Sequence, residues 1–142
     1  MNKIKEKYKR YLYRYLGAEI FADKTLKMDE VTKSVFIILL DFYNRATFEI
    51  DNSSDMQHLN NTFYRYKSLM NETVNSYINI YCDENNVSYE KIKYNVYLIN
   101  NKKIINIEDG FTYIYKSLSR IVKKKKITKY FIESMKDAIM FR

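Results

Sequence analysis

Across 142 residues the chain has no proline and only two glycines, Gly17 and Gly110. A β-sandwich or barrel needs many Gly- and Pro-containing turns, whereas helices joined by a few loops need almost none. An apolar fraction of 46% excludes wholesale disorder. The length suits a single domain, residues 1–142, with a buried core. The expectation is a mainly α, compact helical domain.

Residues 2–16 read as a helix, with Ile4, Tyr8, Tyr11, Leu12 and Tyr15 on one face and cations on the other. Gly17 is a natural helix stop, and residues 17–27 read as a connection. Asp29 suits the N-cap of a helix over about 30–46. The centre of that helix, residues 35–40, is the longest uninterrupted apolar run. It predicts a central apolar helix with Val35, Ile38, Leu39 and Phe42 almost completely buried. Residues 47–50 alternate and read as a short strand. Residues 51–54 are the strongest loop signal, with Ser54 placed to cap the next helix. Met56, Leu59, Phe63, Tyr66, Met70, Val74, Tyr77 and Tyr81 recur at 3-4 spacing. That pattern suits one helix to about Cys82, or two helices broken near Asn71.

After a loop at 83–86, Ile92, Tyr94, Val96 and Leu98 alternate strictly, and Asn100-Asn101 precedes Ile104, Ile105 and Ile107. Period-two alternation of β-branched and aromatic residues predicts one β-hairpin over about 91–107. The Asn pair tolerates the positive φ of a tight turn. Ile92, Val96 and Ile99 also fit a helix over 88–99. Residues 110–123 and 127–141 read as a C-terminal helical pair.

Charge is sorted along the chain. Residues 1–16 carry six Lys/Arg against Glu6, and residues 111–142 carry nine against Glu133 and Asp137. The stretch 17–90 is net acidic, and the whole chain is +8. Basic ends around an acidic middle make an electrostatic footprint for polyanions, and the two ends are expected to form one connected positive surface. Lys outnumbers Arg, and Asn, Ile and Tyr are abundant. These residues have AT-rich codons. The profile is similar to proteins of poxviruses, of phages and mobile elements of low-GC bacteria, or of Plasmodium.

Lys123, Lys124, Lys125 and Lys126, flanked by Arg120 and Lys129, are the densest charge in the chain. They are expected to contact phosphates without regard to sequence, with Lys102 and Lys103 at the hairpin tip assisting. A solvated turn between two helices is the plain alternative. Near the N-terminus, cations interleave with tyrosines. Tyr8, Tyr11 and Tyr15 share the apolar face and belong to the core. Tyr13 lies off that face, so Arg10, Tyr13 and Arg14 are expected to be exposed, the ring able to stack on an unpaired base.

The element order from 30 to 107 resembles a winged helix: helix, short strand, two helices, then a hairpin with Asn100, Asn101, Lys102 and Lys103 at its tip. That resemblance implies a basic wing on a phosphate backbone and a recognition helix near 71–83. This helix has no Lys or Arg, but its Asn and Ser side chains could reach bases. A helix-turn-helix with residues 88–99 as the reading helix is a second form. A central apolar helix wrapped by amphipathic ones also resembles the small Bcl-2-like proteins of poxviruses. Size and composition are similar to phage-encoded inhibitors of host defence. These likenesses imply a host protein as partner.

Several chemistries are excluded by count. Cys82 is the only cysteine and His58 the only histidine, so no internal disulfide, cysteine-based zinc site or histidine triad can be built. Two isolated glycines make no phosphate-binding loop. Asp23, Asp29, Glu30, Asp41, Glu49, Asp51 and Asp55 could form an acid/base pair or a Mg²⁺ site, but no D-x-D or E-x-x-E pattern singles any of them out. No enzyme activity, cofactor or metal is expected. No apolar run approaches the ~20 residues of a membrane span, and no signal peptide is evident. The expected setting is intracellular, in the cytoplasm of a host or bacterial cell, with the nucleus also open, and without a membrane partner. The expected role is a small nucleic-acid-binding accessory or regulatory protein. A helical protein-partner-binding module and a structural or assembly subunit of a large complex are the alternatives, and a homodimer through the C-terminal helices is allowed for.

Overall fold

In the structure, a computed structural model, residues 1–17 and 28–122 are described. Helix α1 spans Asn2–Arg14. Its apolar stripe turns inward: Leu12, Tyr15 and Leu16 are buried, and Ile4, Tyr8 and Tyr11 pack against the core. Gly17 ends it with φ +63° and an N–H donated to the Arg14 carbonyl (3.1 Å), the left-handed stop that only a residue without Cβ adopts freely.

Helix α2 spans Glu30–Asp51, and Asp29 caps it by accepting the Thr32 N–H (2.8 Å). Residues 47–50 are its last turn, not a strand. Ala46 and Ile50 recur at i, i+4 and are both buried, and the Thr47 hydroxyl donates back to the Asn44 carbonyl (2.9 Å). Four alternating residues are too few to outweigh a helical face that already has a partner. The burial expected around the apolar run is met by Leu39 alone, which is fully buried. Val35 and Phe42 are half-buried, and Ile38 is 45% exposed. A helix at the side of a small domain buries a stripe rather than its whole circumference, so six consecutive apolar residues must place some outward.

Helix α3, Met56–Glu84, is one uninterrupted element of 29 residues and the axis of the core. It buries ten residues, including Leu59, Phe63, Tyr66, Met70, Val74, Tyr77 and Ile78, whereas α2 buries five. Its cap is Asp55, which accepts the His58 N–H (2.8 Å), one residue beyond the expected Ser54. Asn71 does not break it. Its amide donates to the Tyr94 hydroxyl (3.3 Å), and its carbonyl accepts from the Asn75 side chain (2.9 Å). Residues 71–83 are thus the second half of a long helix rather than a separate recognition helix.

Strands β1 (Tyr89–Lys93), β2 (Val96–Ile99) and β3 (Lys103–Asn106) form an antiparallel meander in the order β1-β2-β3. Residues 88–99 are therefore not helical. The expected single hairpin is two. The alternation from Ile92 to Leu98 hides a turn at Tyr94-Asn95, made possible by φ +62° at Asn95. Asn100 and Asn101, at φ +55° and +57°, are the central residues of the second turn, which the Lys102 N–H closes by donating to the Ile99 carbonyl (3.1 Å) within a three-residue loop. Val96 pairs with Asn106 and Ile99 with Lys103. Tyr97, Ile99 and Ile105 join the main core.

A 3-10 turn, Ile107–Asp109, leads through Gly110 into a fourth helix among the described residues, α4, which is helical over 111–122. Phe111 packs against Phe36 of α2 and edge-on against Tyr77 of α3, with centroids 6.3 and 4.8 Å apart. Its N–H donates to the Tyr15 carbonyl at the end of α1 (2.9 Å), and the Thr112 hydroxyl donates to the Leu16 carbonyl (3.3 Å). The second member of the expected C-terminal helical pair, residues 127–141, and any dimer through it, lie outside the described residues. Of the winged-helix order, only the succession from helix to antiparallel strands is met: the strand at 47–50 is absent, the two helices expected within 55–82 are one, and the hairpin is a three-stranded meander.

Candidate nucleic-acid interface

Not all of the basic N-terminal helix is available to a ligand. The Lys5 Nζ donates to the Asp51 carbonyl at the end of α2 (3.1 Å), and Lys9 bridges Asp51 Oδ1 (2.9 Å) and Glu6 Oε1 (2.8 Å). Cations at a helix C-terminus satisfy its last carbonyls and oppose its dipole. Two lysines of the basic end thus dock α1 onto the acidic middle. Tyr8 and Tyr11 are also committed, Tyr8 stacked on Phe63 at 3.9 Å and donating to Asn60 (2.6 Å), Tyr11 donating to Glu108 (3.1 Å). Arg10, Tyr13 and Arg14 are exposed as expected, with Tyr13 resting edge-on against Tyr43 at 5.5 Å.

A second basic group forms where the sheet meets α4. Lys102 and Lys103 leave the β2–β3 turn exposed, and the Lys103 Nζ lies 5.9 Å from the Tyr113 ring centroid. Tyr113, Lys116 and Arg120 follow i, i+3, i+7 spacing on α4 and therefore share a side of that helix. Arg120 is exposed. Lys123, Lys124, Lys125, Lys126 and Lys129 come after Arg120 in the chain and lie outside the described residues. The structure so brings Lys103 to α4 and leaves Arg10 and Arg14 on a different helix. Sequence reasoning missed Tyr113, because its lysine neighbour is ten positions away and only the fold joins them.

At the other end of the sheet, the Lys91 Nζ lies 5.7 Å from the Tyr94 ring, which is 70% exposed. Beside it runs an open polar cleft of about 630 Å³ between α3 and the β1–β2 pair. Glu72, Asn75, Ser76 and Asn79 line one wall, and Tyr89, Lys91 and Tyr97 the other. These are the Asn and Ser side chains singled out in residues 71–83. Asn75 is already engaged: its Oδ1 accepts from the Tyr97 hydroxyl (2.5 Å), and its amide donates to Asn71.

Several other reactive groups among the described residues are occupied or shielded. Cys82 is buried, and burial, with Asp83 beside it, pushes its thiol up to about 11. His58 Nδ1 and the Ser53 hydroxyl share a hydrogen bond (2.9 Å). Asp29 and Asp55 are helix caps, Asp41 pairs with Arg45 (3.1 Å), Glu49 pairs with Arg65, and Asp51 with Lys9. Among the described residues no three His, Cys, Asp or Glu side chains converge as metal ligands, and no helix is long and apolar enough to cross a membrane.

Comparison with protein families, with curated proteins and with solved structures finds no match for this chain.

Proposed function

We propose that this protein binds nucleic acid through phosphate contacts along one side of α4, using Lys102, Lys103 and Arg120, with Lys123, Lys124, Lys125, Lys126 and Lys129 extending the same charge along the chain. The observation that supports this reading is the approach of Lys103 to Tyr113, which brings the β2–β3 turn to α4 beside an exposed ring. Lysines hold a phosphate backbone in a salt-dependent way, and an accessible tyrosine beside them offers a face to an unpaired base.

The test is affinity for single- and double-stranded DNA and RNA as a function of salt. Removing one phosphate contact should lower the slope of log affinity against log salt by ~0.7–0.9. Changing the four lysines 123–126 to Ser, or Lys102 and Lys103 to Ser, should flatten that slope. Tyr113→Ala should weaken single strands more than duplexes. Wild-type slopes in both lysine variants would remove this surface, and no measurable affinity at low salt would remove the function. The protein-partner reading would then lead, favoured by the exposed apolar residues of α2.

A further inference from the structure

We propose that α2 is a self-association face on which the helix pairs antiparallel with α2 of a second copy of this chain, across a two-fold axis near residue 43. Val31, Ser34, Ile38, Asp41, Arg45 and Phe48 are all exposed and follow alternating steps of three and four. That spacing is the seam of a packed helix pair, and no described element of the chain covers it. Phe48 is 71% exposed and Ile37, beside the seam, 63%. Val31, Ile37, Ile38 and Phe48 are the large apolar side chains that α2 leaves in solvent.

The order of residues along the seam selects the occupant. Ile38 and Phe48 lie five residues either side of position 43, and Asp41 and Arg45 lie two either side. Antiparallel pairing about that point sets Ile38 against the partner's Phe48 and Asp41 against the partner's Arg45, and a two-fold axis makes each contact twice. Parallel pairing would oppose Asp41 to itself and Arg45 to itself, so charge selects the antiparallel arrangement. Beside Phe48 is a hollow of about 370 Å³, lined by Asn44, Arg45, Phe48, Glu49 and Tyr66. Two of its five lining residues, Phe48 and Tyr66, are aromatic, and in the proposed pair the partner's Ile38 would fill it. Within one protomer Asp41 and Arg45 already pair at 3.1 Å, both largely exposed. The second copy would turn two such pairs into a four-membered network. The part of the seam that meets its own copy, 38 to 48, is ~15 Å long, which suits a small interface and a weak, reversible dimer.

Sedimentation equilibrium of the full chain, without nucleic acid, tests this. The mass should rise from 17.3 kDa toward twice that value between about 1 µM and about 500 µM. Phe48→Asp should stay monomeric. Because that variant introduces a charge beside the core, two surface variants give an independent reading. Asp41→Arg makes the seam wholly basic and Arg45→Asp wholly acidic, so each alone should be monomeric while their equimolar mixture dimerises. A wild-type chain that is monomeric throughout overturns the proposal. So does a dimer that both charge variants leave unchanged, since its contact then lies elsewhere.

Discussion

Gly17 and Gly110, the only glycines in the chain, pack against one another: a Cβ built on Gly110 would lie 2.8 Å from the Cα of Gly17 and 2.7 Å from the Arg14 carbonyl oxygen. Both have positive φ, +63° and +98°. Their contact lets the first N–H of α4 reach the last carbonyls of α1, so two sets of unpaired helix-end groups satisfy each other. Gly110→Ala should therefore destabilise the fold by about 2 kcal/mol or more, because it combines backbone strain with a backbone collision. Gly17→Ala, whose Cβ would meet the Thr112 side chain, should do the same. Urea denaturation reads both, and wild-type midpoints would contradict the contact.

Within the apolar run of α2, neighbouring residues should behave oppositely. Leu39 is fully buried, so Leu39→Ala should cost ~2–5 kcal/mol. Ile37 faces solvent, and Ile37→Ala should stay within ~0.5 kcal/mol. Equal losses in thermal denaturation would mean that α2 is buried all round.

Alkaline pH should unfold the protein. Burial raises the ionisation of Tyr15, Tyr77 and Tyr81 above the usual tyrosine value near 10, that of Tyr81 to about 12. The folded state then keeps protons that the unfolded chain gives up. The resulting stability is fully present below about pH 10 and is lost as pH rises toward 12. Tyrosinate absorbance should show a late group among the fifteen tyrosines, titrating together with the loss of helical circular dichroism. Smooth independent titration of all the rings would refute it.

Cys82 should be silent toward thiol reagents in the native state. Its thiol is buried within α3, and its raised ionisation leaves little thiolate at pH 8. Labelling by a disulfide reagent should proceed only as fast as the fold opens, and should accelerate with urea in step with the loss of helix. Rapid stoichiometric labelling without denaturant would place the thiol at the surface.

Asn95→Gly should stabilise the sheet. Asn95 adopts φ +62°, its carbonyl accepts the Ile107 N–H (2.9 Å), and its buried Oδ1 finds no partner among the described residues. Glycine keeps the turn and the backbone bond and removes a stranded acceptor that costs ~1–3 kcal/mol. Against this stands an unfolded-state entropy penalty of ~0.5–1 kcal/mol. A gain of about 1 kcal/mol is expected, visible as a raised melting temperature, and a lowered one would show that the side chain is engaged.

Local features were legible in the sequence, and long-range ones were not. The stripe from Ile4 to Tyr15, the stop at Gly17 and the turn at Asn100-Asn101 could be read because each is written within a few helical turns of chain. The Tyr94-Asn95 turn was masked by an alternation that continues through it, and the strand expected at 47–50 was overridden by the burial of Ala46 and Ile50 on one helical face. The candidate basic surface was half legible. Lys102, Lys103 and Arg120 were candidates from charge alone. That Lys103 meets Tyr113, and that Lys5 and Lys9 are spent on Asp51, depends on tertiary proximity, which no local pattern encodes.

The glycine contact also sets an order of assembly. Helices α2 and α3 are joined by a four-residue loop and the strands by turns, so these pieces close short loops and can form early. The seam between α1 and α4 must instead bring together residues from the two ends of the described chain, and it forms after the segments between them are in place. Terminal elements held by few long-range contacts are among the first to open in local unfolding. Hydrogen exchange at Gly17 and Phe111 should therefore be faster than in the middle of α3, and α1 and the described part of α4 should leave the fold as one unit.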